Sequence, residues 1–380
     1  MQILQSISTT IRPRLVRQVS SARNLEPYRV ALYPGDGIGV DVTESAVKVL
    51  ETAESTFGTF SLEFTNFNWG CNYYERHGIL TPPDYAQTLS KFDSIFLGAT
   101  GWPAKVPDHL TADVLLGLRR QFDQYANVRP ARTFPGVKTP LDCDVDMVII
   151  RENSEGEYAN VGGRFAQGTP NEVAMQTAVH TRRGVERVIR YSFEVAEKRQ
   201  RQKLTMITKS NAQRYAMVMW DDIFEELSME FPHVQAGRQH IDAAAMNFVL
   251  KPESFDVVVA SNLFGDILSD LSGAITGSLG LNPSANLNPE RRFPSLFEPV
   301  HGSAPDIAGT GKANPTGAIL SAALMIDWLS VDGSASIAGD AIRAAVAECL
   351  ARGESTPDVG GNLTTAQMTQ SVMTRITHKL

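Results

Sequence analysis

The chain has 380 residues, with 35 basic and 42 acidic side chains giving a formal charge of −7. Apolar residues make up 43% and charged residues 20%, which excludes a disordered chain and suits a globular one. The acidic excess disfavours a nucleic-acid partner, and no apolar run is long enough for a bilayer span.

Residues Met1 to Leu25 differ in material from the rest: Arg12, Arg14, Arg17 and Arg23, six Ser/Thr and no acid. Leu4, Ile7, Ile11 and Leu15 fall near helical spacing. An Arg-rich, Ser-rich, acid-free amphipathic start has the composition of a mitochondrial transit peptide, which places the mature protein in the mitochondrial matrix. A disordered tail on a cytoplasmic protein is the alternative. The folded body is therefore expected to begin near Tyr28.

From there, strands and helices alternate. Tyr28–Tyr33 reads as a strand ending in Pro34-Gly-Asp-Gly-Ile-Gly39, and a helix follows with Val42, Ala46, Val49 and Leu50 on one face. Ser94–Leu97, Met147–Ile150, Leu204–Ile207 and Phe255–Ala260 read as buried strands, and Arg182–Lys198, Arg214–Glu230 and Thr316–Leu329 as helices. This alternation implies an α/β fold with a largely parallel sheet covered on both faces. Cys71, Cys143 and Cys349 are too scattered for a disulfide framework or a zinc site, which points to a reducing compartment.

The glycine-rich turn is spaced G-x-G-x-G, not G-x-G-x-x-G, and Asp36 would set a carboxylate where a pyrophosphate should sit. It reads as a tight turn needing positive φ at the edge of a cofactor cleft, not as a Rossmann phosphate loop.

A stronger signal lies in Asn262-Leu-Phe-Gly-Asp266-Ile-Leu-Ser-Asp270. On a helix, Asp266 and Asp270 project from one face and repel unless a cation lies between them. Asp266 as a helix cap with Asp270 solvated is the alternative, but Ile267, Leu268 and Leu271 mark the segment as buried. Asp242, in a run of small residues, is a third carboxylate, and such a set suits Mn²⁺ or Mg²⁺. Arg119, Arg129 and Arg151 come from separate elements, and planar guanidinium groups converging on a cleft recognise carboxylates. Arg119 fits a surface ion pair equally well. Lys209 follows a buried strand and is a candidate base. Tyr158, seven residues after Arg151, is a candidate proton donor.

These residues lie in long motifs: Pro34 to Gly39, Asn262 to Asp270, and Glu298-Pro-Val-His-Gly-Ser-Ala-Pro-Asp306-Ile-Ala-Gly309. From Tyr28 to about Met373 the chain resembles the NAD-dependent β-decarboxylating dehydrogenases, the isocitrate/isopropylmalate dehydrogenase family. Gly101 to His109, Phe122 to Tyr125, Arg151 to Tyr158 and Ser284 to Pro294 resemble its tartrate/D-malate branch.

The resemblance implies an isocitrate/isopropylmalate dehydrogenase-like α/β fold with two lobes, distinct from Rossmann. Residues 28–124 and 277–380 would form a discontinuous large cofactor lobe, 125–276 a small dimerising lobe, and 1–27 the leader or tail. Asp242, Asp266 and Asp270 fall on metal ligands, with Asp242 reaching from the partner of a homodimer with shared sites. Arg119, Arg129 and Arg151 fall on the carboxylate clamp, and Tyr158 and Lys209 on the general acid and base. Ile38, His301, Gly302, Ala304, Asp306 and Asn314 fall on the NAD site, and the Asp306 carboxylate would repel a 2′-phosphate and so favour NAD over NADP. Mn²⁺ or Mg²⁺ and, as a further cofactor, K⁺ are implied.

The implied reaction is oxidation and oxidative decarboxylation of a 2-hydroxy dicarboxylate of tartrate or D-malate type. One departure weakens the substrate reading: Leu110-Thr-Ala-Asp-Val114 stands where that branch carries Ser-Leu-Trp-Gly. An isopropylmalate-type substrate, with Val114 and Leu115 facing an alkyl group, stays open, as does an isocitrate-type substrate, although the expected Ser-x-Asn near Arg119 is missing. A non-catalytic subunit and a redox-free metal-dependent lyase are further alternatives.

Overall fold

The computed structural model describes residues 25–378. In chain order the main elements are β1 (Tyr28–Gly35), α1 (Gly39–Phe57), β2 (Leu62–Asn66), α2 (Cys71–His77), α3 (Tyr85–Leu89), β3 (Ser94–Ala99), α4 (Asp108–Gln121), β4 (Ala126–Arg132) and β5 (Asp146–Glu152). A hairpin of β6 (Gly156–Phe165) and β7 (Val173–Val179) follows, then α5 (Arg182–Lys198), β8 (Lys203–Thr208), α6 (Ala216–Ser228), β9 (Gln235–His240) and α7 (Ile241–Leu250). The chain continues through β10 (Val257–Ala260), α8 (Asn262–Thr276), β11 (Pro283–Leu287), β12 (Ser295–Pro299), α9 (Thr316–Leu329), α10 (Ser336–Ala351) and α11 (Thr365–Thr377).

Ten strands form one sheet in the order β2-β1-β3-β12-β11-β4-β5-β10-β8-β9. The sheet is not parallel throughout. β2-β1-β3-β12 are parallel and so are β5-β10-β8-β9, but β12–β11, β11–β4 and β4–β5 pair antiparallel. The two parallel blocks therefore run in opposite directions. The half ending at β11 is drawn from residues 28–124 and 277–380, and the half starting at β4 from 125–276.

Apolar burial explains both halves. Every residue of β10 is buried, as expected of a strand covered on two faces. The apolar face of α1 (Val42, Ala46, Val49, Leu50, Ala53) is fully buried. Helix α9 is apolar around most of its circumference and accordingly buried along its whole length. Its one carboxylate, Asp327, is met by Arg343 at 2.7 Å. Among the described residues no helix is long and apolar enough to cross a membrane.

The turn after β1 is tight, as its glycines suggest. Gly35 and Gly37 take φ of 70° and 57°, and a Cβ on either would stand 2.0 Å from a carbonyl oxygen, that of Ala99 or Ser303. Asp36 agrees with the reading of this turn as no phosphate loop, because its carboxylate is turned into the protein. It is buried and accepts the backbone N–H groups of Cys71 at 2.7 Å and Gly101 at 2.9 Å, tying α2 and the β3–α4 loop to the turn. All three cysteines are free; burial first, then the Asp36 charge, pushes the Cys71 thiol up to about 12.

Helix α8 crosses β5 at Gly265, where a Cβ would meet Arg151 Cβ and Cγ at 2.7 Å. Gly265→Ala gains helix propensity of up to about 1 kcal/mol but overpacks the crossing by about 1–3 kcal/mol. A lowered urea midpoint is expected, whereas Gly237→Ala on β9, where nothing lies within 4 Å, leaves the midpoint nearly unchanged.

Candidate active site

The site is built where α8 lies over the antiparallel seam. Register places Ala260, Arg151, Asn127 and Asn286 in one row across β10, β5, β4 and β11. Arg129, two residues from Asn127, projects from the same face. Helix α8 begins right after β10, so its N-terminal part sets Asn262, Asp266, Ser269 and Asp270 over that row.

Arg151 is 2% exposed and fully engaged. Its Nε and Nη2 donate to Asn262 Oδ1 at 3.0 and 2.7 Å, its Nη1 pairs with Asp266 Oδ1, and its guanidinium lies 5.1 Å from the Tyr158 ring. Arg129 Nη1 donates to Ser269 Oγ at 2.6 Å and to Asp266 Oδ1 at 3.3 Å. Tyr158 donates its hydroxyl to Asp266 Oδ2 at 2.7 Å. Arg119 is buried, not a surface pair, and meets Glu298 at 3.3 Å.

Asp266 is thus the hub that joins two guanidinium groups and a phenol. Burial pushes its carboxyl up, but Arg151, Arg129 and the Tyr158 hydroxyl outweigh it and hold it below the usual range. Burial and then Arg129 pull Arg151 down to about 9, which leaves it charged at neutral pH. Burial and the bond to Asp266 keep the Tyr158 phenol protonated. Asp270 is raised by burial and by Asp266, a like-charge strain that a cation between the two would relieve. That strain, and the all-oxygen donor pair one helical turn apart, fit a hard divalent cation.

Within one chain the three aspartates do not gather: no group of three His, Cys, Asp or Glu side chains able to hold a metal forms among the described residues. Asp242 stands apart at the start of α7, its side chain 69% exposed, and pairs with Lys209 Nζ at 2.7 Å, which lowers its pKa. Ile267 corrects another expectation. Leu268 is buried and Leu271 partly so, but Ile267 is 52% exposed. Neither is Asp266 a cap, since Ser261 holds the N-cap position.

The loop carrying His301 closes on the glycine turn: Ile38 N–H donates to Ser303 O at 2.7 Å, and Gly309 N–H to Asp41 Oδ2 at 2.9 Å. Ala304 adopts φ 34° and Asp306 is exposed beside it. Burial lowers the pKa of His301, whose Nδ1 lies 2.9 Å from Gly302 O. With Nδ1 as donor, Nε2 is a buried acceptor without a partner among the described residues, and that suits an amino group of a purine. Asn314 is buried, donates to Asp358 Oδ2 at 3.0 Å and accepts Thr316 N–H at 3.0 Å. Val114 is packed in the core cluster with Tyr33, Leu97 and Leu118, so it does not face a substrate alkyl group.

Sequence reasoning missed the polar network beneath the site. Asn286 Nδ2 donates to Glu298 Oε1 at 2.7 Å, Asn127 Nδ2 to Ser284 Oγ at 2.8 Å, and Asn153 Nδ2 to Asn286 Oδ1 at 2.8 Å. Asn127, Asn286 and Glu298 lie within β4, β11 and β12 and Asn153 just after β5, segments that no apolar alternation marks in the sequence.

Residues 29–372 match the family model for isocitrate/isopropylmalate dehydrogenase. The chain is 50% identical over 355 residues to D-malate dehydrogenase [decarboxylating] of Escherichia coli, covering 92% of this chain and 98% of that protein. It is 50% identical over 349 residues to tartrate dehydrogenase/decarboxylase of Pseudomonas putida, covering 90% and 95% of the two chains. The crystal structure of isocitrate dehydrogenase from Methylococcus capsulatus superposes with a TM-score of 0.83 at 34% identity, covering 92% of this chain and 99% of that one. These relatives are bacterial, which overturns the mitochondrial expectation; of the stretch that prompted it, Met1 to Leu25, all but Leu25 lie outside the described residues. The chain is a dehydrogenase, and it belongs to the isocitrate/isopropylmalate dehydrogenase family.

Proposed function

We propose that the chain oxidises and decarboxylates a 2-hydroxy dicarboxylate of the tartrate or D-malate type, with NAD and Mn²⁺ or Mg²⁺. One observation carries this reading. Arg119, Arg129 and Arg151 are all buried at one place, and the two carboxylates they touch, Asp266 and Glu298, leave one positive charge over. With Asp266 turned to the cation, the three arginines would face Glu298 alone, and the two positive charges then left over match a doubly carboxylated substrate. Relatives named for D-malate and tartrate, each at 50% identity, support that substrate class.

Asp266 and Asp270 would hold the cation, with Asp242 supplied by a second copy of the chain. When bound, the cation supplies Lewis-acid charge at the substrate hydroxyl, and NAD supplies the acceptor for the C2 hydride. The protein's own residues do the rest. The arginines fix both carboxylates. Lys209 Nζ takes the hydroxyl proton as the C2 hydride leaves with its electron pair. The bond from C3 to its carboxylate then breaks, CO₂ departs, and the electron pair left on C3 is protonated by the Tyr158 hydroxyl. Ile38, His301, Gly302, Ala304, Asp306 and Asn314 would line the adenosine site, with Asp306 selecting NAD over NADP.

The homodimer reading rests on exposed apolar surface. Met246, Val249 and Leu250 of α7 are 55%, 42% and 64% exposed, and Asp242 lies one turn before Met246 on the same face. On the β6–β7 hairpin, Phe165 pairs with Val173, and Val161 and Met175 share their exposed face. An isolated two-stranded hairpin is marginal in water, so this face needs a partner surface. The two halves of the sheet would serve as the two lobes.

Three measurements test this. NADH formation from D-malate, the tartrates, isopropylmalate and isocitrate, with and without Mn²⁺, should favour D-malate or a tartrate and require the cation; inertness towards every such acid sinks the proposal. Lys209→Ala and Tyr158→Phe should each lower kcat by about 10²–10⁴-fold, while Tyr158→Phe still releases NADH in a first turnover. If Lys209 serves the partner's site and Tyr158 its own, mixing and re-forming dimers from these two inactive variants restores about a quarter of wild-type activity, because half the dimers carry one intact site. No recovery on mixing would show that each site is built from one chain.

A further inference from the structure

Strand β4 has a second face. Pro130 and Arg132 alternate with Arg129 and so project away from the candidate active site, towards α9 and α10. There they line a pocket of about 50 Å³ that opens on solvent and whose walls are mainly apolar: Phe134, Leu281, Pro283, Leu320 and Leu324. It straddles the seam, with β4 on one side and β11, α9 and α10 on the other.

Two guanidinium groups reach this cavity. Arg343 binds Asp327 and Asp340 at 2.7 and 2.8 Å through its terminal nitrogens, but its Nε is buried and has no partner among the described residues. The Arg132 side chain makes no hydrogen bond or ion pair among the described residues and only stacks over Phe134 at 4.7 Å. The carboxylate opposite it on the β4–β5 ladder, Asp146, is turned to Arg199 at 3.0 Å. Burial, with Arg343 adding to it against the pull of Asp146, lowers the Arg132 pKa. A partly buried cation with no ion pair of its own among the described residues offers a carboxylate a counter-charge, and the apolar pocket at the same point gives a hydrocarbon tail somewhere to go.

We infer that this cavity is a binding site for a small amphipathic monocarboxylate, its head on the Arg132 guanidinium and its tail among Phe134, Leu320 and Leu324. A short fatty carboxylate such as hexanoate is the probe chemistry. Bound there, it would bridge the two halves of the sheet behind Arg129, with no contact to the clamp itself.

Isothermal titration of the full-length protein with hexanoate tests the site. Binding is expected for hexanoate and to be at least about tenfold weaker for acetate, inorganic phosphate and hexanol, each of which lacks either the tail or the carboxylate. Arg132→Gln should weaken hexanoate about tenfold or more, while Arg151→Gln, in the clamp, leaves it unchanged. A crystal of the wild-type protein soaked in hexanoate gives a second readout that needs no variant: density beside Arg132 is expected. Equal binding by phosphate or acetate, equal binding by hexanol, loss of binding only in Arg151→Gln, or no density in the cavity would each overturn the assignment.

Discussion

Arg151 directly follows the buried apolar run Met147–Ile150 of β5, and its charge has to be answered inside the protein. A buried guanidinium with one partner removed costs about 3–5 kcal/mol, so the fold must bring it both a carboxylate and neutral acceptors. Asn262 and Asp266 are those groups, and Gly265 between them lets α8 lie close enough to deliver them. Once α8 is set by that contact, the remaining geometry follows from helical spacing. Ser269 falls on Arg129, and Asp270 falls one turn beyond Asp266. In our reading the same contact prepares the chemistry. A substrate carboxylate arriving at Arg151 replaces Asp266, which is then free to turn with Asp270 towards a cation.

The antiparallel seam is what lets residues from distant parts of the chain share this place. In a sheet parallel throughout, the loops following all strands would open on one edge. Here the two parallel blocks oppose each other, and β4 and β11 carry side chains across the join. The Asn127–Asn286–Glu298 bonds satisfy polar groups that a wholly apolar seam would not contain, and Glu298 hands a carboxylate to Arg119 from the other half of the sheet. The price of that arrangement is a seam without strong apolar patterning.

This explains what the sequence made legible. Helices α5 and α9 have the bounds their periodicity predicts, because a single apolar pattern dictates each. The Asn262 to Asp270 motif could be placed on a helix facing the site, since the spacing of its polar residues is itself a geometric statement. Strands β4 and β11 are not among the strands read from the sequence: Pro130, Pro283, Asn127 and Asn286 break a strand's usual composition, and only their partners across the seam make strands of them. Ile267 and Val114 were misjudged for a related reason. An apolar residue near polar site residues can face the core, a partner or the cleft, and spacing alone does not choose. The arginine-rich start failed differently, because composition without structure does not identify a compartment.

Lys209 and Asp242 then need their own explanation. Asp242 is largely exposed and Lys209 partly so, and a pair open to solvent on one side contributes little to stability, so the fold does not require it. It lies at the start of an α7 face whose other members are Met246, Val249 and Leu250, side chains that a lone chain leaves in water. A base and a carboxylate placed beside an apolar stripe, away from the clamp in their own chain, make physical sense if the stripe is covered by a second copy and the pair is delivered into that copy's site. The incompleteness of one chain's aspartate set and the exposure of its apolar helix face are, on this argument, the same feature seen from two sides.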